Sequence, residues 1–64
     1  MKVIPVTERR EIHVQRKRWR GQDMVDIRTY IKTENYEGYT RKGIMIPIEV
    51  VEDVIAAIIE EAGI

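Results

Sequence analysis

One tryptophan set among cations is the most chemically distinctive feature of this chain. Arg18-Trp19-Arg20-Gly21 places a flat ring between guanidiniums, and Lys17, Arg28 and Tyr30 alternate onto the same side of the flanking segments. Tyr36, Tyr39, Arg41 and Lys42 follow within the next stretch. A single-stranded polynucleotide asks for this mixture. Its phosphates need Lys or Arg, and its unstacked bases need planar side chains, worth ~1–3 kcal/mol each. The residues read as candidate nucleic-acid contacts are therefore Lys17, Trp19, Arg20, Arg28, Tyr30, Arg41 and Lys42. Each has a plainer alternative. Trp19 could cap the end of a core, Arg28 could pair with Asp26 or Glu11, and Tyr30 could be cross-strand packing. His13 reads as an ordinary surface residue.

Other chemistries find little support. The chain lacks Ser and Cys, the commonest nucleophiles. One histidine and no cysteine cannot build a structural zinc site, so no metal and no cofactor are expected. Glu52 and Asp53 are adjacent rather than facing, a poor acid–base pair. Gly38 and Gly43 do not form a phosphate-cradling loop. An enzyme is not expected.

The formal net charge of zero hides a segregation. All 11 Lys and Arg residues lie between Lys2 and Lys42, where six acids leave a net +5. Residues 43–64 carry five acids and no base, a net −5. Such asymmetry points to a polyanion partner for the basic part. No apolar run approaches the ~20 residues of a membrane span, and the N-terminus does not resemble a signal peptide. The expected location is cytoplasmic, at the nucleoid.

The elements that position these residues follow from periodicity. Residues 11–19 alternate, with Ile12 and Val14 on one side and His13, Gln15, Lys17 and Trp19 on the other. Arg16 and Arg18 share the parity of Ile12 and must lie beyond the covered sheet or on a bulge. Gly21-Gln22-Asp23 is the turn signal. Met24 to Ile31 alternates again, so residues 11–31 read as a β-hairpin with a basic, aromatic tip. Residues 32–38 form a polar loop, and 39–46 a further strand that Gly43 interrupts with a bulge or a close backbone approach. Residues 1–10 are ambiguous; Val3-Ile4-Pro5-Val6 fits a short edge strand.

Residues 48–62 read as a helix, although seven of the fifteen are β-branched. Pro47 suits its start and Gly63 its end. Val51, Val54, Ile55, Ile58, Ile59 and Ala62 fill one side, opposite Glu49, Glu52, Asp53, Ala56 and Glu60. This apolar arc spans about half the circumference, against the ~100° that one sheet requires. One flank would cover the sheet and the other a second copy of the helix. The candidate dimer interface is Val51, Val54, Ile55, Ile58 and Ile59. An acidic helix is repelled by phosphates, which excludes helix-turn-helix readings. A lone domain of 64 residues is also marginal in core size, which favours a homodimer.

Residues 12–52 resemble the C-terminal domain of the transcriptional coactivator positive cofactor four, a single-stranded DNA-binding family. The carrying stretches are Arg18-Trp19-Arg20-Gly21, Val25-Asp26-Ile27-Arg28-Thr29-Tyr30 and Arg41-Lys42-Gly43-Ile44-Met45-Ile46, followed by the acidic helix. The resemblance implies an α+β subunit spanning residues 1–64: a four-stranded antiparallel curved β-sheet, one C-terminal α-helix, and a homodimer formed through the helices. It implies phosphate contacts at Lys17, Arg20, Arg28, Arg41 and Lys42, and base stacking at Trp19. Two places depart from the family pattern. Ile31 stands where a second ring often follows the strand tyrosine, and Gln22 where a lysine commonly follows the turn glycine; Tyr36 or Tyr39 is the candidate replacement ring. The Ser- and Lys-rich tail of eukaryotic members is missing, so the chain looks like a minimal prokaryotic or viral member. The expected function is largely sequence-independent binding of single-stranded DNA. Alternatives are RNA binding and a dimeric protein-interaction module acting through the acidic helix face.

Overall fold

The computed structural model describes all 64 residues. The alternating segments are strands, and they are longer than the pattern requires. β1 is Lys2–Thr7, β2 Arg10–Trp19, β3 Gln22–Lys32 and β4 Glu37–Pro47. They form one antiparallel sheet in the order β1-β2-β3-β4. The ambiguous N-terminal segment is thus an edge strand, and Pro5, which has no N–H to donate, sits where only one neighbour is needed.

The β2–β3 hairpin turns on two residues, Arg20 and Gly21, with φ of 51° and 77°. Positive φ at both central positions is the requirement of the type I′ turn, whose twist suits a hairpin. The turn therefore falls at Arg20-Gly21, one residue before the expected Gly21-Gln22-Asp23. Arg20 accepts the left-handed conformation that usually goes to Gly or Asn.

Register divides the sheet into two faces. His13 pairs with Arg28, Gln15 with Asp26 and Lys17 with Met24. These residues, with Trp19 and Tyr30, form the polar face, as the alternation predicts. Val14 pairs with Ile27, and Val25 and Ile27 pair with Ile46 and Ile44, which builds an apolar face. Arg16 and Arg18 lie on the apolar parity with side chains about two-thirds exposed, both bound to Asp23 at the hairpin end. They lie at the exposed hairpin end of the sheet, and the β2–β3 register runs without a bulge.

Pro47 leads into a 3-10 turn, Ile48–Val50, which runs directly into helix α1, Val51–Ala62. Gly63 ends α1 at φ 76°, with its N–H bonded to the Ile59 and Glu60 carbonyls and Ile64 N–H returning to Ile59. This is a Schellman-type stop, and it needs glycine's tolerance of positive φ. The first turn of the expected 48–62 helix is thus 3-10 rather than α.

Helix α1 does not cover the sheet, contrary to the expected packing of one flank. Only the 3-10 turn touches a strand appreciably, at β3, and no residue of α1 is buried. The 3-10 turn follows β4 without a loop and leads α1 away from the strands. The molecule is accordingly thin, 38 × 35 × 17 Å. Four residues are buried: Met24 and Ile46, His13 and Asp26. A compact 7.6 kDa monomer exposes about 4,300 Å², whereas this chain exposes 5473 Å².

Candidate nucleic-acid interface

The hairpin tip carries Trp19, 53% exposed, with the Arg20 guanidinium carbon 5.4 Å from the ring centroid. Trp19 ends β2 at the hairpin tip, and its exposed ring does not cap a core. A cation over an indole face contributes ~0.5–1 kcal/mol at an exposed site. Lys17 lies two residues before Trp19 on the same face.

The middle of the face is a set of ion pairs and rings. Arg28 Nη2 lies 3.1 Å from Asp26 Oδ1, and Lys17 Nζ 3.7 Å from Asp26 Oδ2. Asp26 is completely buried. Burial acts to raise its pKa, but the hydrogen bond and the charge of Arg28, helped by Gln15 and Lys17, hold it below the ordinary carboxylate value. Of the two acids open to Arg28 in the sequence, the structure selects Asp26. Lys32 takes Glu11 instead, at 3.1 Å.

His13 is buried, which corrects its reading as an ordinary surface residue. Its ring stacks on Tyr30, with centroids 4.7 Å apart and planes at 10°. Tyr39 meets both rings edge-on at 5.2 Å. His13 Nε2 donates to Glu11 Oε1 at 2.8 Å, and Nδ1 lies 2.9 Å from the Tyr39 hydroxyl. Hydrogen bonds from His13 and then Lys32 lower the Glu11 pKa. The Tyr30 hydroxyl donates to Glu37 at 2.8 Å, and that bond raises the phenol pKa. Tyr30 thus belongs to a half-buried aromatic cluster as well as to the polar face.

β4 contributes through a bulge. Arg28 pairs with Gly43 and Tyr30 with Tyr39, so Thr40, Arg41 and Lys42 all lie opposite Thr29. The extra residues bend the strand and carry Arg41 and Lys42 out as exposed cations. Thr40 Oγ1 steadies the bulge by accepting from Lys42 N–H at 3.1 Å. Arg20, Arg41 and Lys42 form no ion pair within the chain. Lys42, Gly43 and Arg28 also line an open groove of about 270 Å³ floored by Ile12, Ile27 and Ile44.

Among the predicted contact residues, the structure brings Lys17 and Arg28 together at Asp26, joins Trp19 to Arg20 at the tip, and sets Arg41 and Lys42 on the bulge. Tyr30 is the ring drawn into packing. Sequence reasoning offered the Arg28–Asp26 pair but missed the burial of Asp26 and the His13 cluster, yet a signal existed. Asp26 shares the parity of Lys17 and Arg28, and Glu11, His13 and Tyr30 alternate onto that same face.

A bulged four-stranded meander with a cationic, aromatic face and one trailing helix defines a small α+β module. Sequence comparison agrees with that class: residues 6–57 match the family model described as Transcriptional Coactivator p15 (PC4). The chain belongs to the PC4 family, one of coactivators rather than enzymes. Its fold is similar to that in the crystal structure of a PC4 homolog from Burkholderia pseudomallei K96243. That match has a TM-score of 0.84 and 22% identity, over 97% of this chain and 85% of the other. No curated protein matches the chain. No helix is long and apolar enough to cross a membrane.

Proposed function

We propose that this chain is a homodimeric, largely sequence-independent binder of single-stranded DNA that works at the nucleoid. The observation that carries the reading is the exposed Trp19–Arg20 tip, with unpaired Arg41 and Lys42 on the bulge further along the sheet. An indole with one face toward solvent stacks any base, and cations without internal partners are free for phosphates. Lys17 and Arg28 add phosphate contacts along the face, and Tyr30 supports the ring surface from within its cluster. Membership of the PC4 family supports the same partner.

The dimer half of the reading rests on uncovered apolar surface. The protomer exposes about 1,200 Å² more than a compact chain of its mass, and a stable interface takes about 800 Å² from each partner. Ile55, Ile58 and Ile59 are 51%, 56% and 44% exposed on α1, with Val51 and Val54 beside them. These residues bury against a second copy, leaving the acidic helix face away from the DNA.

Fluorescence anisotropy with labelled oligothymidine over a salt series tests the reading. Affinity falls on a log–log slope of about −0.7 per phosphate contacted. Absence of binding at low salt rules it out, and stronger binding to a matched RNA oligomer moves the assignment to RNA.

A further inference from the structure

Asp26 is the only side chain that the fold buries completely, and it lies on the polar face rather than in an apolar core. Two cations assigned to phosphate, Lys17 and Arg28, converge on it. Arg28 is held from several directions. Its Nη2 and Nε lie 3.1 and 3.5 Å from the two Asp26 oxygens, and its Nη1 lies 3.5 Å from the Thr40 carbonyl in the bulge. Its stem crosses Gly43, where an added Cβ would stand 3.2 Å from Arg28 Cγ, 3.1 Å from Cζ and 2.8 Å from the Ile27 carbonyl oxygen. Gly43 is therefore needed for space. A guanidinium has five N–H donors. Three point inward here, two remain, and 27% of the side chain stays open to solvent.

We propose that Asp26 is a positioning residue: with Thr40 and Gly43 it presets Arg28, so that the two spare N–H groups meet a phosphate without first being ordered. This rests on the reading of the face as a single-strand binder. A preset side chain loses less rotamer freedom on binding, and the gain appears as affinity. A carboxylate that merely offset two cations would have the opposite effect, since its removal would add positive potential and tighten binding.

The test is a double-mutant cycle on the full chain with labelled oligothymidine at about 0.15 M salt, where the Debye length is ~8 Å. Asp26→Asn weakens binding roughly tenfold. In an Arg28→Ala background the same change alters affinity less than about twofold, because its effect acts through Arg28. Arg28→Lys, which keeps the charge but gives up the planar fork that Asp26 and Thr40 hold, weakens binding in the same direction and carries the test if Asp26→Asn fails to fold. Unchanged or tighter binding by Asp26→Asn while the wild type binds overturns the proposal, as does a loss that adds fully to Arg28→Ala. A wild type that does not bind at all removes the single-strand reading, and this inference with it.

Discussion

Replacing Ile58 tests whether the open face of α1 is an interface. Ile58 is 56% exposed in the protomer. Complete burial of such a side chain is worth ~1.5–3 kcal/mol, so covering the open half contributes about 1–1.5 kcal/mol. A two-fold interface uses the residue twice, giving about 2–3 kcal/mol per dimer. Ile58→Ala should therefore raise the dimer Kd roughly 30- to 150-fold. Ile58→Asp should raise it more than about a thousandfold, because each copy also buries an unpaired carboxylate at a cost of several kcal/mol. Sedimentation equilibrium over a range of protein concentrations reads both constants. Since the protomer buries only four residues, melting should follow the same order and depend on protein concentration in the wild type. Should Ile58→Asp sediment with the wild-type constant, the helix face is not the interface and the surface bookkeeping behind the dimer is wrong.

Three further outcomes follow from the geometry. Trp19→Ala weakens oligothymidine binding by about 1–3 kcal/mol and leaves the melting temperature nearly unchanged, because the ring is exposed; a large drop in melting temperature would return Trp19 to the core. Arg41→Ala and Lys42→Ala each make the log–log salt slope about 0.7 shallower, and an unchanged slope for both would remove the bulge from the interface. Asp26 has a folded-state pKa below its ordinary value. Its stabilising contribution is complete above the unfolded pKa near ~3.9 and is lost as pH falls through the lower folded value. Denaturant melts should show wild-type stability declining over that acid range and a flatter profile for Asp26→Asn; parallel profiles would mean that Arg28 does not hold the carboxylate.

Local pattern was enough for most of the fold. Alternation at the start of 11–19 and over 24–31 gave the hairpin and the partition of its faces, and Pro47 and Gly63 bracketed the helical segment. The single β-branched residues that lower helix propensity lost to an apolar arc of helical period. What local pattern does not contain is the direction in which α1 leaves the sheet. That depends on the 3-10 turn at Ile48–Val50 joining Pro47 to α1 without a loop. The turn position was displaced by one residue because Arg20, a poor candidate for positive φ, takes it beside Gly21. The candidate site was legible as a set of cations and rings, with Asp26 as one of two partners open to Arg28, but not in its burial. Asp26 and His13 become buried only when register sets Gln15 opposite Asp26 and His13 opposite Arg28, and a polar residue gives no sign of that when counted alone.

Because Trp19 is the sole tryptophan, its emission reports directly on the ring at the hairpin tip. Titrating the unlabelled protein with oligothymidine should quench that emission saturably, with a midpoint that matches anisotropy and moves to higher oligomer concentration as salt is added. Full binding by anisotropy with Trp19 emission unchanged would mean that the strand lies elsewhere on the molecule.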